Sequence, residues 1–459
     1  MQKDLLVKAG LVGVIFLLLL IPLGMIGSLV SERSGRQEAV VKEISTSNYS
    51  AQVFAGPIVS IPYVEEFEET VTENSEKKVR TRRIKRVARF FPETSDIAGA
   101  AAVGTKHRGL FKARVFNWQA RAKGVFHFDG RPDIERTREG SRISWGQPTA
   151  SLLLSDPRGL IGSPSLEWRG LQVPLERGSG LPNLARGLHA GLPAIDPAKP
   201  QRLEYSLDIG LLGTESLTLV PIAGNETVRL ASDWPHPSFG GQFLPRPDSQ
   251  RPAKGFDARW IVSALASGAQ QQLVAQLEGR KDCNAGLCAD GLSVQFIEPV
   301  AIYTLSDRAL KYGFLFVGIT LGCFFLFELL KELRIHPAQY FLVGLALATF
   351  FLLLLGLSEH IAFWIAYAVA AAACILLQGF YLGAVLKGAW RGASFSVLLT
   401  ALYGALYGLL VSEDNALLLG SILVFALVAA AMVITRRLDW YSLGKVKYEA
   451  SGASMSSRA

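Results

Sequence analysis

The sequence predicts a membrane protein with one N-terminal transmembrane helix, a large all-β, sandwich-like domain on the non-cytoplasmic side and a C-terminal bundle of five transmembrane helices. Three observations predict it. Apolar runs long enough to cross a bilayer sit only at the N-terminus and beyond residue 312. Period-2 alternation fills the segment between them, and Lys and Arg collect in alternate short loops. Over 459 residues, 50% are hydrophobic and 19% charged, against about 25% charged in an ordinary soluble protein. The formal net charge of +8 does not point to nucleic acid. It gathers in loops beside apolar runs and in one run facing an acidic run, without a basic stripe interleaved with aromatics.

The first apolar run is Ala9–Val30, preceded by Lys3 and Lys8. It matches the roughly 20 residues a bilayer core requires and exceeds the ~7–15 of a signal-peptide core. Ser28-Leu29-Val30 is a poor cleavage site, so residues 9–30 read as an uncleaved signal anchor behind a cytoplasmic segment, 1–8. Pro22 is tolerated in lipid because neighbouring groups satisfy the freed carbonyl.

Five further runs lie within 310–435, at about Tyr312–Leu330, Phe341–Leu357, Ile361–Leu386, Ser394–Val411 and Ala416–Thr435. The connections carry Lys331 and Arg334, then Ser358-Glu-His360, then Lys387 and Arg391, then Ser412-Glu-Asp-Asn415. Arg436, Arg437, Lys445 and Lys447 follow in a tail, 436–459. Basic loops stay in the cytoplasm. Both termini are therefore expected there, and residues 31–309 across the membrane.

Small residues let helices approach closely in lipid, so Gly379, Gly383, Gly404 and Gly408 are expected to pack the bundle, with a dimer seam as the alternative. Glu328, one turn from a helix end, is expected to pair with Lys331 at the interface. The scarcity of buried charge argues against an ion-coupled transporter.

Residues 31–48 are polar and helix-prone, and extend the first helix. Ile58–Thr72 and Val79–Phe91, around Glu73-Asn-Ser-Glu76, read as a long hairpin with acidic residues on one arm and basic residues on the other. Such pairs contribute roughly 0.2–1 kcal/mol each. Alternation continues at Leu110–Phe128, Arg142–Leu154, Leu166–Pro174, Leu203–Leu212, Ser216–Ile222 and Thr227–Ser232, while Ala264–Leu277 reads as a helix. Antiparallel β-structure follows, as one sandwich or two stacked modules. Cys283 and Cys288, in an exported loop, are placed to form a disulfide. Cys323 and Cys374 lie in apolar helices.

Searches for chemistry fail. No nucleotide-binding loop, zinc-protease or serine-hydrolase motif is present. Ser75-Glu-Lys-Lys78 matches a serine-lysine spacing but sits in a charged turn without its companion motifs. The histidines lack metal-ligand spacing, so neither cofactor nor metal is expected. Two motifs remain as candidate ligand or interaction surfaces. Asp156 and Arg158 lie in Leu154-Ser-Asp-Pro-Arg-Gly-Leu160, where Asp, Pro and Gly each favour a turn. Trp234, His236 and Phe239 lie in Asp233-Trp-Pro-His-Pro-Ser-Phe239, which could dock a peptide or glycan or cap the sandwich as a rigid corner.

In order along the chain, several motifs resemble the CreD family of bacterial inner-membrane proteins. They include Gly56-Pro-Ile58, Ser155-Asp-Pro-Arg-Gly159, Trp234-Pro-His-Pro-Ser-Phe239, Phe243-Leu-Pro245 and Leu305-Ser-Asp-Arg-Ala309. Phe327-Glu-Leu329, Ile335-His-Pro337, Leu357-Ser-Glu-His360 and Asp439-Trp-Tyr441 extend the match to nearly the whole chain. The resemblance implies the same topology and a place in an envelope-stress response, linked to a two-component system and to tolerance of colicins or β-lactams. It supplies no reaction and no catalytic residue. The leading expectation is a non-enzymatic protein supporting envelope integrity through contacts with membrane lipid, periplasmic or inner-membrane proteins, or peptidoglycan. A transporter or lipid-handling protein with a cavity at Glu359, His360 and Glu413 comes second. An envelope-directed enzyme using Asp156, Arg158 and His236 comes third.

Overall fold

The computed structural model describes residues 2–73, 76–249, 254–281, 283, 287–297, 302–330, 335–386, 388–412 and 416–436. The chain forms two units. One comprises Met1–Gln37 with Val300–Ala459, and the other is Glu38–Pro299. The first helix, α1 (Gln2–Ser47), runs on without a break past the apolar span, as its polar, helix-prone continuation predicts.

In the middle unit two sheets form. The first contains β1 (Gln52–Glu73), β2 (Glu76–Phe90), β5 (Arg142–Trp145), β6 (Thr149–Leu154), β9 (Glu176–Arg177), β10 (Gly187–Gly191), β12 (Ser216–Leu219), β14 (Pro237–Gly241) and β16 (Leu292–Phe296). The second runs in the order β15 (Phe256–Ser263), β13 (Asn225–Ser232), β3 (Thr94–Arg108), β4 (Phe111–Asp129), β11 (Pro200–Thr214), β7 (Ser165–Trp168), β8 (Leu171–Val173). Most ladders are antiparallel, but β1 pairs with β12, and β3 with β13, in parallel. The sheets are therefore mixed, a correction to a purely antiparallel reading. Parallel neighbours need long crossovers, and more than a hundred residues separate each pair.

The two sheets share one core, which decides between one sandwich and two modules. Phe54, Ile61 and Leu152 from the first pack with Trp118, Phe126 and Leu207 from the second. The rings of Phe54 and Trp118 lie 5.8 Å apart, and those of Phe116 and Phe296 5.1 Å. Alternating burial along β4 and β11 follows from the period-2 pattern. A smaller cluster is covered by the helix α2 (Ala269–Leu277), whose Leu273 and Leu277 meet Ile58, Leu153 and Ile222. Beyond α2, Cys283 and Cys288 are joined in a disulfide.

The β1–β2 hairpin carries its expected ladder, with Glu65–Arg86 at 2.5 Å, Glu66–Arg83 at 2.7 Å and Glu69–Arg82 at 3.0 Å. Asn74 and Ser75 of its turn lie outside the described residues. Gly56, at φ +136°, sits where the β1–β6 register shifts between Ala55 and Ile58. A side chain there would be strained.

The other unit contains α3 (Ile302–Leu330), α4 (Pro337–Ser358), α5 (Phe363–Val385), α6 (Ala389–Val411) and α7 (Ala416–Thr435) beside α1. Five of the described helices, α1 and α3–α6, are long and apolar enough to cross a membrane. The sixth, α7, has 20 residues and no ionisable side chain. Helix α3 begins at Ile302, ahead of the apolar run, and Asp307, Arg308 and Lys311 in its first turns keep that stretch out of the run. Lys331, Arg334, Lys387, Glu413, Asp414, Asn415, Arg437, Lys445, Lys447 and Asp439-Trp-Tyr441 lie outside the described residues.

Two polar groups tie α1 into this bundle. Glu328 is buried and accepts from Lys8, from the Tyr340 hydroxyl at 2.5 Å and from Ile335 N at 3.0 Å. It is thus held by Lys8, which packing brings to it, while Lys331, its expected partner, lies outside the described residues. Arg33 and the Tyr303 hydroxyl approach Glu359 at 3.7 and 3.1 Å. Lys8 and Arg33 are about 37 Å apart along a helix rising 1.5 Å per residue, which brackets an apolar span of bilayer thickness.

The glycines divide. A Cβ on Gly392 would lie 2.7–2.9 Å from backbone atoms of Gly383 and Gly379, and one on Gly379 would strike Ser396. Gly379 and Gly383 thus form the α5–α6 contact. Nothing lies within 4 Å of a Cβ built on Gly404 or Gly408, so among the described residues this pair does not pack the bundle. The motif's spacing marks a helix face without saying what that face meets. Gly392→Ala is expected to force the helices apart and destabilise by about 1–3 kcal/mol. Gly404→Ala is expected to change stability by less than about 0.5 kcal/mol. Thermal unfolding of both variants in detergent checks this.

Candidate functional site

The conspicuous polar cluster of the β-domain is built on Asp156 and Arg158. Strand β6 ends at Leu154, and Pro157–Gly159 forms one 3-10 turn capped by Asp156. Pro157 presets the turn's φ. Gly159 is buried, and a Cβ there would collide with the Leu212 carbonyl and the Gln52 side chain.

Asp156 is 6% exposed, yet all its hydrogen bonds are made within the fold. Its carboxylate accepts from Arg158 Nη2 at 2.7 Å, Arg158 Nε at 2.9 Å and Arg158 N at 3.2 Å. It also accepts from Ser50 N at 3.0 Å and Ser50 Oγ at 3.2 Å. Burial pushes its pKa up, but the Arg158 side chain and the Ser50 and Arg158 N–H groups outweigh this and hold it at about 2. The remaining Arg158 nitrogen, Nη1, donates to Thr46 O in the last turn of α1 at 2.8 Å. A guanidinium there also faces the negative end of the helix dipole. Ser155 Oγ donates to Ala51 O and accepts from Val53 N, and Gln52 Nε2 donates to Asp156 O and Leu212 O. The cluster is a clasp holding the α1–β1 junction against β6 and β11.

His236 is not part of it. Its side chain is exposed, its ring lies edge-on to Trp234, and among the described residues no hydrogen bond or ion pair joins it to Asp156 or Arg158. The aromatic residues of that motif face inward. Trp234 donates Nε1 to His236 O and Ile297 O, each at 3.1 Å, and lies 4.4 Å under the Arg114 guanidinium. Phe239 packs edge-on against Phe256 and Trp260 at 5.5 and 5.7 Å. Trp260 Nε1 donates to Phe243 O at 3.2 Å. The segment is a corner joining β13 of one sheet to β14 of the other, so Trp234 and Phe239 do not project as docking anchors.

Glu359 is taken up by Arg33 and Tyr303, His360 bonds Gly356 O, and Glu413 lies outside the described residues. No group of three or more His, Cys, Asp or Glu among the described residues could hold a metal ion. Sequence reasoning missed two buried carboxylates. Glu65, 0% exposed, accepts from Thr137 N and Oγ1, Arg138 N, Ser141 Oγ and Arg86. Burial raises its pKa, but the Ser141 and Thr137 hydroxyls and the backbone N–H groups lower it to about 2. Glu226 is 3% exposed and accepts from Ala223 N at 3.0 Å. Burial raises its pKa to about 7.

The sequence profile for the inner membrane protein CreD matches residues 4–441. The chain belongs to the CreD family. The inner membrane protein CreD of Escherichia coli (strain K12) is 34% identical over 438 residues, covering 95% of this chain and 93% of that protein. With its apolar helices, this makes the chain an inner-membrane protein with several transmembrane helices. The motifs that carried the family resemblance fall at structural corners. Gly56-Pro-Ile58 lies at the β1 irregularity, and Ser155-Asp-Pro-Arg-Gly159 forms the clasp. In Ile335-His-Pro337, His336 caps α4 by accepting from Ala338 N, while Gln339 accepts from His336 N at 3.1 Å.

Proposed function

We propose that this CreD family member is a non-enzymatic protein that supports cell envelope integrity through its β-domain. The β-domain lies on the periplasmic side and both ends of the chain on the cytoplasmic side. One observation carries the reading. Asp156 and Arg158, the polar pair an envelope-directed enzyme would draw on, are consumed by bonds to Ser50, Thr46 and each other. A general acid or base must reach its substrate, and these groups are committed to the fold. The charge of the short loops supports the orientation. Membrane lipid, envelope proteins and peptidoglycan are the partners such a domain would meet.

The test is complementation of a deletion strain under envelope stress with an Asp156→Ala/Arg158→Ala/His236→Ala variant. Growth is at low temperature, and expression is adjusted so that folded protein in the membrane matches wild type. Rescue is the expected result. Loss of rescue at equal folded abundance would instead make the cluster a ligand or active site.

A further inference from the structure

A second feature of the β-domain is not absorbed by the clasp. A cleft of about 850 Å³ opens between the 130–145 segment and the 194–198 segment, lined by Arg131, Arg136, Ile143, Trp145, Ile195 and Asp196. Arg131 and Arg136 are exposed, and among the described residues no hydrogen bond or ion pair takes up either guanidinium. Several other arginines of the domain are matched to carboxylates, as in Arg121–Asp208 at 2.6 Å and Arg229–Asp257 at 2.7 Å. Here two unmatched guanidinium groups line one cleft.

The wall that carries them is held rigidly. Glu65, fully buried on β1, receives the N–H groups of Thr137 and Arg138 and the hydroxyls of Thr137 and Ser141. Tyr63 Oη donates to Glu135 O at 2.8 Å, and Arg86 donates to Thr137 Oγ1 at 3.1 Å. An irregular segment fixed at so many points presents its side chains with little ordering cost on binding. On the floor, Trp145 pairs with Tyr63 across β5–β1 and rests against its ring at 5.4 Å. Ile195 is buried beside it. Asp196 offers an acceptor, already engaged by Ala198 N at 3.1 Å and near Lys199 at 3.7 Å.

We infer that this cleft binds an anionic saccharide, with the Trp145 indole against the apolar face of a pyranose and the Arg131 and Arg136 guanidinium groups on its carboxylate or phosphate. An aromatic face with a few converging polar groups is the usual make-up of a small-ligand site. The guanidinium fork matches planar carboxylate and phosphate oxygens. The inference names a ligand class for the proposed envelope domain and rests on that reading. Its test uses purified protein, so its failure leaves the membrane orientation and the complementation result untouched.

Full-length protein in detergent is titrated with glucuronic acid, glucose 6-phosphate, glucose and inorganic phosphate, and binding is followed by calorimetry. Glucuronic acid or glucose 6-phosphate should bind at least about tenfold more tightly than glucose, since each charge-assisted bond is worth that or more. Preference for the first assigns a carboxylated saccharide, and preference for the second a phosphorylated one. The Arg131→Gln/Arg136→Gln variant, altered only at exposed positions, should melt as wild type does and lose at least about tenfold in affinity. Trp145→Leu should weaken both sugars while leaving inorganic phosphate unaffected. No binding of either anionic sugar overturns the inference. So does undiminished binding by the arginine variant, or inorganic phosphate binding as tightly as the sugars.

Discussion

Glu226→Gln is expected to raise the melting temperature of the full-length protein at pH 8 and to leave it nearly unchanged at pH 4.5. Glu226 lies at the start of β13, 3% exposed, with Ala223 N donating to it at 3.0 Å. The core on either side holds Ser95 and Tyr205, which carry no charge at neutral pH. Burial raises the carboxyl pKa to about 7, against about 4.3 in an unfolded chain. The folded state therefore holds its proton over a range where the unfolded state has released it. Stability attributable to this group falls as pH rises from about 4.5 to about 7 and is flat above. At roughly 1.4 kcal/mol per unit, the wild-type acid costs on the order of 3 kcal/mol at pH 8. Glutamine keeps an acceptor for Ala223 N and removes the charge. For a domain of this size the gain corresponds to roughly 5–10 °C. Equal melting shifts at both pH values would show that Glu226 ionises freely in the fold.

Asp156→Ala should act in the opposite sense. Removing its carboxylate strands Ser50 N–H inside the clasp and releases Arg158, whose remaining bond to Thr46 O then lacks its anchor. Arg158 is more than half exposed, so the ion pair itself contributes little. The loss comes chiefly from the half-buried Ser50 donors left unmatched, about 1–2 kcal/mol in all. The pH dependence is also reversed. With its pKa held at about 2, Asp156 contributes stability that is present above about pH 4 and lost as pH falls toward 2. The difference in melting temperature between wild type and Asp156→Ala should therefore shrink on acidification. A constant difference down to pH 2.5 would contradict the clasp.

What the sequence conveyed and what it did not divide along physical lines. Apolar runs, loop charge and period-2 alternation report local environment, so the helices, β4, β11 and the charged hairpin were legible. Strand β3 was not. Its outward positions include Ala98, Ala100 and Ala102 and it is interrupted by Gly99 and Gly104, residues that carry little strand signal. The Asp156–Arg158 turn could be read from its own residues. Its role could not, because Ser50 lies 106 positions away and Thr46 112. Glu328 was visible as a carboxylate near a helix end with Lys331 three residues on, whereas Lys8, 320 positions earlier, emerges only from packing. Gly404 and Gly408 carry the same spacing as Gly379 and Gly383. What separates the pairs is a neighbour, Gly392, that no spacing rule names.

An envelope role requires the β-domain to lie outside the cytoplasm, and one labelling experiment addresses that directly. Single cysteines are introduced at Leu265, fully exposed in the β-domain, and at Ser456 in the C-terminal tail. Spheroplasts are then treated with a membrane-impermeant maleimide, with Cys323→Ala and Cys374→Ala as the background. Labelling of Leu265→Cys in intact spheroplasts, with Ser456→Cys labelled only after lysis, is the predicted result. Labelling of Ser456→Cys in intact spheroplasts while Leu265→Cys requires lysis would invert the topology and remove the basis for an envelope role.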